Sequence, residues 1–181
     1  MTQRPSPDEY GPSYAGYIAR VPAGADIVQQ LAGQLHDTMA RLRAVPEDRG
    51  AYRYAPGKWS VKDVVAHLAD VERVMSYRAL RIGRGDQTPL PGFEEDAYAT
   101  EAAADRFALA ELAETFSHVR RATIDLFRQF PPTAWERRGA ASGFPVSVRA
   151  LGFIIVGHEL HHLDVLAVRY SLWDASAEAT R

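Results

Sequence analysis

Apolar residues recur along most of the chain at intervals of three and four positions, the spacing of one face of an α-helix. The first such stretch covers residues 26–45 and is stopped by a proline. The second begins at Ser60, a good helix-capping residue, and ends near Gly83 or Gly85. We therefore expect two amphipathic helices in the first half of the chain, followed by a long loop over residues 86–98.

Two further helices are expected in the second half of the chain. The third covers residues 103–130 and is stopped by two consecutive prolines. A loop over residues 131–146 follows, and Ser147 then caps the last helix. No strand-like alternation competes with the helical pattern. The sequence therefore predicts an all-α protein, most simply a four-helix bundle.

The segments outside these helices suggest a simple domain organisation. Residues 1–23 contain four prolines and scattered tyrosines, which indicates an extended N-terminal arm lying on the surface. Residues 24–172 form one bundle domain, and residues 173–181 form a polar tail. At 181 residues, the chain is long enough to bury a substantial core.

Composition narrows the classes of function. The net charge of −2, from 21 basic and 23 acidic residues, does not favour binding to nucleic acid or to an anionic membrane. The N-terminus has no apolar signal region, and no apolar run approaches the ~20 residues that span a membrane. Without cysteine, any metal site must use His, Asp or Glu. We expect a cytoplasmic protein acting on a small molecule.

The segment 157-GHELHHLDVL-166 contains H-E-x-x-H, the pattern of zinc metalloproteases. Such a protease needs Glu159 as its base and a third metal ligand downstream. Only 19 residues follow His162, and they contain no further histidine. The sole later glutamate, Glu178, lies in the polar tail. The sequence therefore disfavours the protease interpretation.

Three histidines lie on core-facing stripes and could bind a metal together. His158 and His162 are four residues apart, hence on one face of the last helix, and His67 lies on the core-facing stripe of the second. Three imidazoles from two helices would leave coordination positions open, as a catalytic metal site requires. The alternative is that each is a hydrogen-bonded core histidine. His36 is interpreted as structural, and His118, beside Arg120 and Arg121, as part of a solvated face.

Two blocks of sequence resemble the DinB/YfiT-like superfamily. They cover residues 56–93, including 59-WSVKDVVAHL-68, and residues 143–166, with 135-WERRG-139 between them. The resemblance implies a four-helix bundle in up-down-down-up order, often as a homodimer. It also implies a divalent metal, zinc or nickel, bound by His67, His158 and His162.

The resemblance further implies a thiol-dependent S-transferase that uses a low-molecular-weight thiol as cosubstrate. A metal-dependent hydrolase and a non-catalytic stress-response or binding module are the alternatives. Glu72, Asp70, Asp164 and His161 are candidates for orienting the metal ligands. Many family members have a glutamine shortly after the last histidine; Asp164 and Val165 stand there in this chain, so no such contact is expected.

Overall fold

A computed structural model describes residues 2–173 of the chain, which are mostly helical. The α-helices are α1 (Ala15–Arg20), α2 (Ile27–Ala44), α3 (Val61–Gly83), α4 (Glu95–Ala102), α5 (Leu109–Arg128) and α6 (Val148–Val168). The strands are β1 (Arg138–Ala141) and β2 (Phe144–Ser147). The predicted polar tail lies outside the described residues from position 174 onward.

The four long helices α2, α3, α5 and α6 form a bundle. Both α2 and α3 pack against α5 and α6, so α2 and α3 occupy opposite corners. The short helix α1 lies along α6, and α4 lies along α3. A four-helix bundle was predicted, and the helical core confirms it. The up-down-down-up order of the helices remains a prediction.

Capping residues define where three of the long helices begin. The Asp26 side chain accepts a hydrogen bond from the Gln29 amide at 3.1 Å, before the first residue of α2. Ser60 and Asp63 form a reciprocal capping box at the start of α3, as their spacing indicates. Ser147 accepts a bond from the Ala150 amide at 3.0 Å and begins α6. These starts agree with those expected from the sequence.

The expectation that the chain contains no strands was wrong for residues 138–147. There β1 and β2 form an antiparallel hairpin, paired from Arg138 with Ser147 to Ala141 with Phe144. Ser142 and Gly143 form its turn, both with positive φ, at 52° and 80°. Two-residue turns of this kind match the twist of the flanking strands. Strands of four residues are too short to show a clear alternation of apolar and polar positions.

The N-terminal arm is not extended throughout, as was expected. After two 3₁₀ turns, residues 15–20 form α1, and Ile18 is buried against the bundle. Glu9 is only 1% exposed and accepts a hydrogen bond at 2.6 Å from Arg149 at the start of α6. An apolar side chain and a partly buried ion pair therefore hold the arm on α6. Its boundary with the bundle domain at residues 23–24 remains a prediction.

The expected loop at 86–98 and the expected helix at 103–130 also differ from the structure. Helix α4 begins within the expected loop, at Glu95, and ends at Ala102. Ala103 then adopts a left-handed conformation with φ of 46°, which interrupts the helical path. Helix α5 starts only at Leu109, after the Ala108 amide donates to the Glu111 side chain at 2.8 Å.

Helix α6 is the most apolar long helix in the described part of the chain. By length and composition alone it could cross a membrane, contrary to the expectation that no segment approaches such a span. However, 67% of its most apolar stretch is buried inside the protein. The composition of α6 is therefore that of a core helix packed on several sides.

The core consists of two apolar clusters. The first includes Ile27, Leu31, Met75, Phe127 and Leu151. The second includes Met39, Leu42, Leu68, Phe116 and Leu166. Each bundle helix contributes one polar side chain between the clusters: Thr38 from α2, Glu72 from α3, Arg120 from α5 and Glu159 from α6. These four residues, each at most 3% exposed, are called the polar layer below.

The groups of the polar layer form hydrogen bonds and an ion pair with one another. Arg120 donates from Nε and Nη2 to the two carboxylate oxygens of Glu72, both at 2.8 Å. Its Nη1 lies 2.7 Å from Glu159 Oε2, and Thr38 Oγ1 donates to Glu159 Oε1 at 2.6 Å. Burial raises the pKa of Glu159. Burial acts to lower the pKa of Arg120, but the charges of Glu159 and Glu72 outweigh it and raise that pKa above its usual value.

His118, interpreted as part of a solvated face, is exposed, but the neighbouring Arg120 does not share that face. His118 and Arg121 are exposed, but Arg120 is fully buried. It lies four residues after Phe116 and four before Ile124, on the apolar stripe of α5. The helical spacing therefore contained a signal for its burial.

We predict that Arg120→Met destabilises the protein by about 3–5 kcal/mol, because it leaves two buried carboxylates without their partner. The measurement is the free energy of unfolding in urea. Arg121→Met is the matched control; this exposed neighbour should change stability by no more than about 0.5 kcal/mol. Equal losses in the two variants would contradict the role of the polar layer.

Candidate metal centre

The structure brings together the three histidines on the predicted stripes. His67 is in the second turn of α3, and His158 and His162 lie one turn apart on α6, which packs against α3. His67 and His158 are each 4% exposed. One ligand atom from each of the three imidazoles lies within 4.8 Å of the others. Two adjacent helices therefore present three convergent nitrogen ligands.

The spacing of the imidazoles is close to what one metal ion needs. The Nε2 atoms of His67 and His158 are 3.0 Å apart. The three ring centroids are separated by 4.5, 4.8 and 5.0 Å. In a tetrahedral site with metal–nitrogen bonds of ~2.0–2.1 Å, the nitrogens are about 3.3 Å apart. Small rotations of the side chains would bring all three nitrogens to one ion.

Burial keeps these imidazoles in the neutral form that binds metals. It lowers the pKa of His67 to about 4 and that of His162 to about 2. Burial also lowers the pKa of His158 well below its usual value, with further contributions from His162 and His67. Among the described residues, the buried Nδ1 of His162 has no hydrogen-bond partner. This nitrogen and the all-histidine donor set fit a divalent cation.

Aromatic rings form two walls of the histidine cluster. The ring of Trp59 packs on that of His67, with centroids 4.6 Å apart. The ring of Tyr17 packs edge-on against His158 at 5.3 Å and against His161 at 5.5 Å. Trp59 thus lies beside the site. Tyr17 comes from the N-terminal arm, and its spacing in the sequence gave no sign that it would approach the histidines.

The candidates for orienting the metal ligands have separate positions. Glu72 belongs to the polar layer, where Arg120 engages both of its oxygens. Asp164 is paired with Arg20 of α1. His161 is partly buried, and its ring lies 5.0 Å from that of His162. The roles of these residues at a metal remain predictions.

Two other side chains considered from the sequence lie apart from this arrangement. Asp70 forms an ion pair with Arg73, one turn further along α3, at 2.8 Å. His36, interpreted as structural, is exposed on α2. Neither belongs to the group of three convergent imidazoles.

The structure gives a physical reason why the protease interpretation fails. Glu159 would have to act as a base on a substrate near the metal. Instead, its carboxylate is buried in the polar layer, bonded to Thr38 and paired with Arg120. It points toward α2 and α5, whereas His158 and His162 converge on α3. The H-E-x-x-H pattern therefore combines two ligand candidates with a core residue.

The sequence pattern of the DinB superfamily matches residues 30–166, which is most of the chain and includes all three histidines. The chain therefore belongs to the DinB superfamily. Among curated protein sequences, none matches it significantly.

Solved structures of similar fold agree with this family. YfiT from Bacillus subtilis, described as "a probable metal-dependent hydrolase with an unusual four-helix bundle topology", is 18% identical over 91% of each chain, with a TM-score of 0.69. A DinB-like protein from B. subtilis, YjoA, is 20% identical over 82% of this chain and 93% of its own, with a TM-score of 0.58. A mycothiol-dependent maleylpyruvate isomerase is 16% identical over 78% of this chain and 60% of its own, with a TM-score of 0.63. At these identities, the similarity concerns the fold.

A close approach between backbones places Tyr17 beside the histidines. Gly157, which precedes His158 on α6, faces the backbone of α1. A Cβ atom at this position would collide with the carbonyl oxygen of Tyr17. The glycine therefore allows α1 to lie directly on α6.

We predict that Gly157→Ala displaces α1 and destabilises the protein by about 1–3 kcal/mol, the usual cost of overpacking. Hydrogen exchange should show faster exchange of the α1 amides. Gly33→Ala is the control, because Gly33 lies in α2 and a Cβ there meets no atom within 4 Å. It should be neutral or stabilise the protein by up to about 1 kcal/mol. Unchanged protection of α1 in Gly157→Ala would count against the close approach.

Proposed function

We propose that this protein is a metal-dependent enzyme of the thiol S-transferase class. In this proposal His67, His158 and His162 bind one divalent cation, zinc or nickel, and a low-molecular-weight thiol is the cosubstrate. One observation carries the proposal: three neutral imidazoles, two buried and one partly buried, converge within 4.8 Å from two adjacent helices. Three protein ligands leave room for an exogenous ligand, as in catalytic sites.

A bound divalent cation would supply Lewis acidity, which favours the thiolate form of a thiol near neutral pH. The thiolate sulfur would then form a bond to the electrophilic atom of the substrate, whose leaving group departs with the bonding electrons. The three histidines would hold the site together, while Trp59 and Tyr17 would restrict the space around it. The similar fold of a mycothiol-dependent isomerase supports the use of a thiol.

Hydrolysis is the second candidate function. The same cation would lower the pKa of water instead of that of a thiol. The observation that favours it is the similar fold of YfiT, described as a probable metal-dependent hydrolase. The two proposals share the histidines and differ in whether a thiol is required.

We predict that the full-length protein, purified without a histidine tag, binds one zinc or nickel ion. Its unfolding free energy should rise by about 2.7 kcal/mol at a free metal concentration of 100 times the Kd. His158→Ala should weaken binding by at least about 100-fold, more than the ~10–100-fold typical of changes to outer-shell partners. Isothermal titration calorimetry measures the stoichiometry and the Kd of metal binding for the wild type and for His158→Ala.

The control for this experiment is His36→Ala, which removes an exposed histidine from α2 and should leave metal binding unchanged. Substoichiometric metal, together with unaltered stability of His158→Ala, would remove the basis of both enzyme proposals. The protein would then fit the non-catalytic binding module considered from its sequence.

We predict that the metal-loaded protein consumes a small electrophile only when a thiol is present. The measurement is loss of a chromogenic electrophile, with and without a panel of low-molecular-weight thiols, corrected for the reaction without protein. His158→Ala should lose the protein-dependent rate. An equal rate without thiol would reject the transferase and favour the hydrolase.

We also propose that the protein acts on a small molecule, is located in the cytoplasm and forms a homodimer. In this proposal it has no nucleic-acid or membrane partner. In that proposal, small molecules reach the metal from the side of Trp59, whose ring packs on His67.

A further inference from the structure

The chain just before α4 is fixed to the body of the protein. The Leu90 amide donates a hydrogen bond to the Ala140 carbonyl oxygen in β1 at 2.9 Å, and the Leu90 side chain is buried. The buried guanidinium of Arg78 on α3 donates to the carbonyl oxygen of Pro91 at 2.7 Å. Residues 90–91 are therefore a firm attachment point.

A second attachment point follows α4. Ala104 is buried. The carboxylate of the next residue, Asp105, accepts hydrogen bonds from Arg53 at 2.7 Å and from Ser60, the capping residue of α3, at 3.2 Å. The chain is therefore fixed again at residues 104–105.

Residues 92–103, which lie between these two points, are called the α4 segment below. Within the part of the chain that the structure describes, none of residues 92–102 forms a hydrogen bond or an ion pair with a residue outside the α4 segment. No residue of α4 itself is buried. Moving α4 away from α3 would thus break no hydrogen bond to the rest of the described chain and would expose little apolar surface. Segments of this kind open at a low cost in free energy.

Both ends of the α4 segment have the properties of a hinge. Gly92 follows the first attachment point directly, and glycine accepts a wide range of backbone conformations. Ala103 precedes the second attachment point, with φ of 46° and ψ of 51°. This left-handed conformation is unfavourable for a residue that carries a Cβ atom. The strain at Ala103 is released when the α4 segment changes its path.

The α4 segment covers a cavity and does not pack tightly on the start of α3. The cavity has a volume of about 540 Å³ and is lined on one side by Asp96, Ala99 and Thr100 of α4. Trp59 lines the other side, and its ring packs on that of His67 at 4.6 Å. A helix without buried residues that lies over a cavity, between two hinges, has the arrangement of a lid.

We propose that the α4 segment is a lid that swings on Gly92 and Ala103 and uncovers Trp59. The structure shows its closed position. In the open position, small molecules enter the cavity and reach the ring of Trp59. The lid itself requires no metal. Its consequence for His67 and the other two histidines, a gated approach on the side of Trp59, rests on the proposed function.

The test measures distances between pairs of spin labels in the full-length protein by pulsed electron paramagnetic resonance. The chain contains no cysteine, so cysteines introduced at exposed positions are the only labelling sites. The lid pair is Glu101→Cys with His36→Cys, which relates α4 to α2. The bundle pair is Arg73→Cys with His36→Cys, which relates α3 to α2.

We expect a single distance for the bundle pair and two distances for the lid pair, the second belonging to the open position. Ala103→Val should raise the ratio of open to closed lid by about fivefold, because a β-branched residue disfavours the left-handed conformation more strongly than alanine does. Ala103→Gly should lower this ratio, because glycine adopts that conformation without strain. Thr100→Val is the matched control. It places the same side chain at a helical position of α4 and should leave the ratio within about twofold of wild type.

A single distance for the lid pair that stays the same in Ala103→Val would overturn the inference. A broad, continuous distribution for the lid pair would also overturn it, because α4 would then unfold locally and would not move as a unit.

Uptake of Co²⁺, followed by stopped-flow absorbance, separates the lid from the proposed function. Uptake should be faster in Ala103→Val than in the wild type, by about the same factor as the rise in open lid. Equal uptake rates despite a shifted lid would overturn the gating of the histidines. A protein that takes up no Co²⁺ would reject the proposed function, whereas the spin-label distances would still decide whether the lid exists.

Discussion

The guanidinium of Arg120 lies between the two halves of the apolar core and contacts the other three helices of the bundle. It donates hydrogen bonds to Glu72 on α3 and to the carbonyl oxygen of Leu31 on α2, the latter at 3.3 Å, and it forms an ion pair with Glu159 on α6. A slip of one helix by a single turn, about 5.4 Å, would separate these partners. An unpaired charge would then remain in the core, at a cost of several kcal/mol. Apolar packing alone tolerates such slips more readily, so the polar layer determines the register of the helices.

This register has a direct effect on the candidate metal centre. Glu159 and His158 are consecutive, so α6 is attached to the polar layer at the residue that follows a proposed ligand. His67 lies five residues before Glu72 on α3, the other acidic member of the layer. The relative positions of His67 and His158 therefore depend on Arg120, although this residue is not itself part of the histidine cluster. Ligands held in this way need little rearrangement when a metal binds.

Sequence periodicity predicted the parts of the fold that depend on residues close together in the chain, namely the starts of the helices and the faces that they bury. Helix starts followed from capping residues such as Ser60 and Ser147, and the stripe positions of the three histidines predicted that they would face inward. These predictions worked because helical geometry relates spacing along the sequence to direction in space. The same geometry places Arg120 inside the bundle, although no inward position was predicted for this charged residue.

Other features depend on contacts between distant segments, which spacing does not encode. Tyr17 reaches His158 only because Gly157 lets α1 approach α6. Helix α4, which lies along α3, forms in a segment rich in loop-forming residues. The hairpin consists of strands too short to show a pattern. Tertiary packing determined each of these features, so the three histidines could be predicted and most of their surroundings could not.

The position of Tyr17 has a consequence for how sites of this kind can diversify. Residues 30–166, which match the superfamily, contain all three histidines but not Tyr17. One wall of the site is thus built by a residue outside the segment that matches the superfamily. Exchanges within the arm can therefore reshape the approach to the histidines while the polar layer and the ligand helices stay intact. Substitutions at Tyr17 are therefore a way to alter the surroundings of the histidines without changing the three imidazoles themselves.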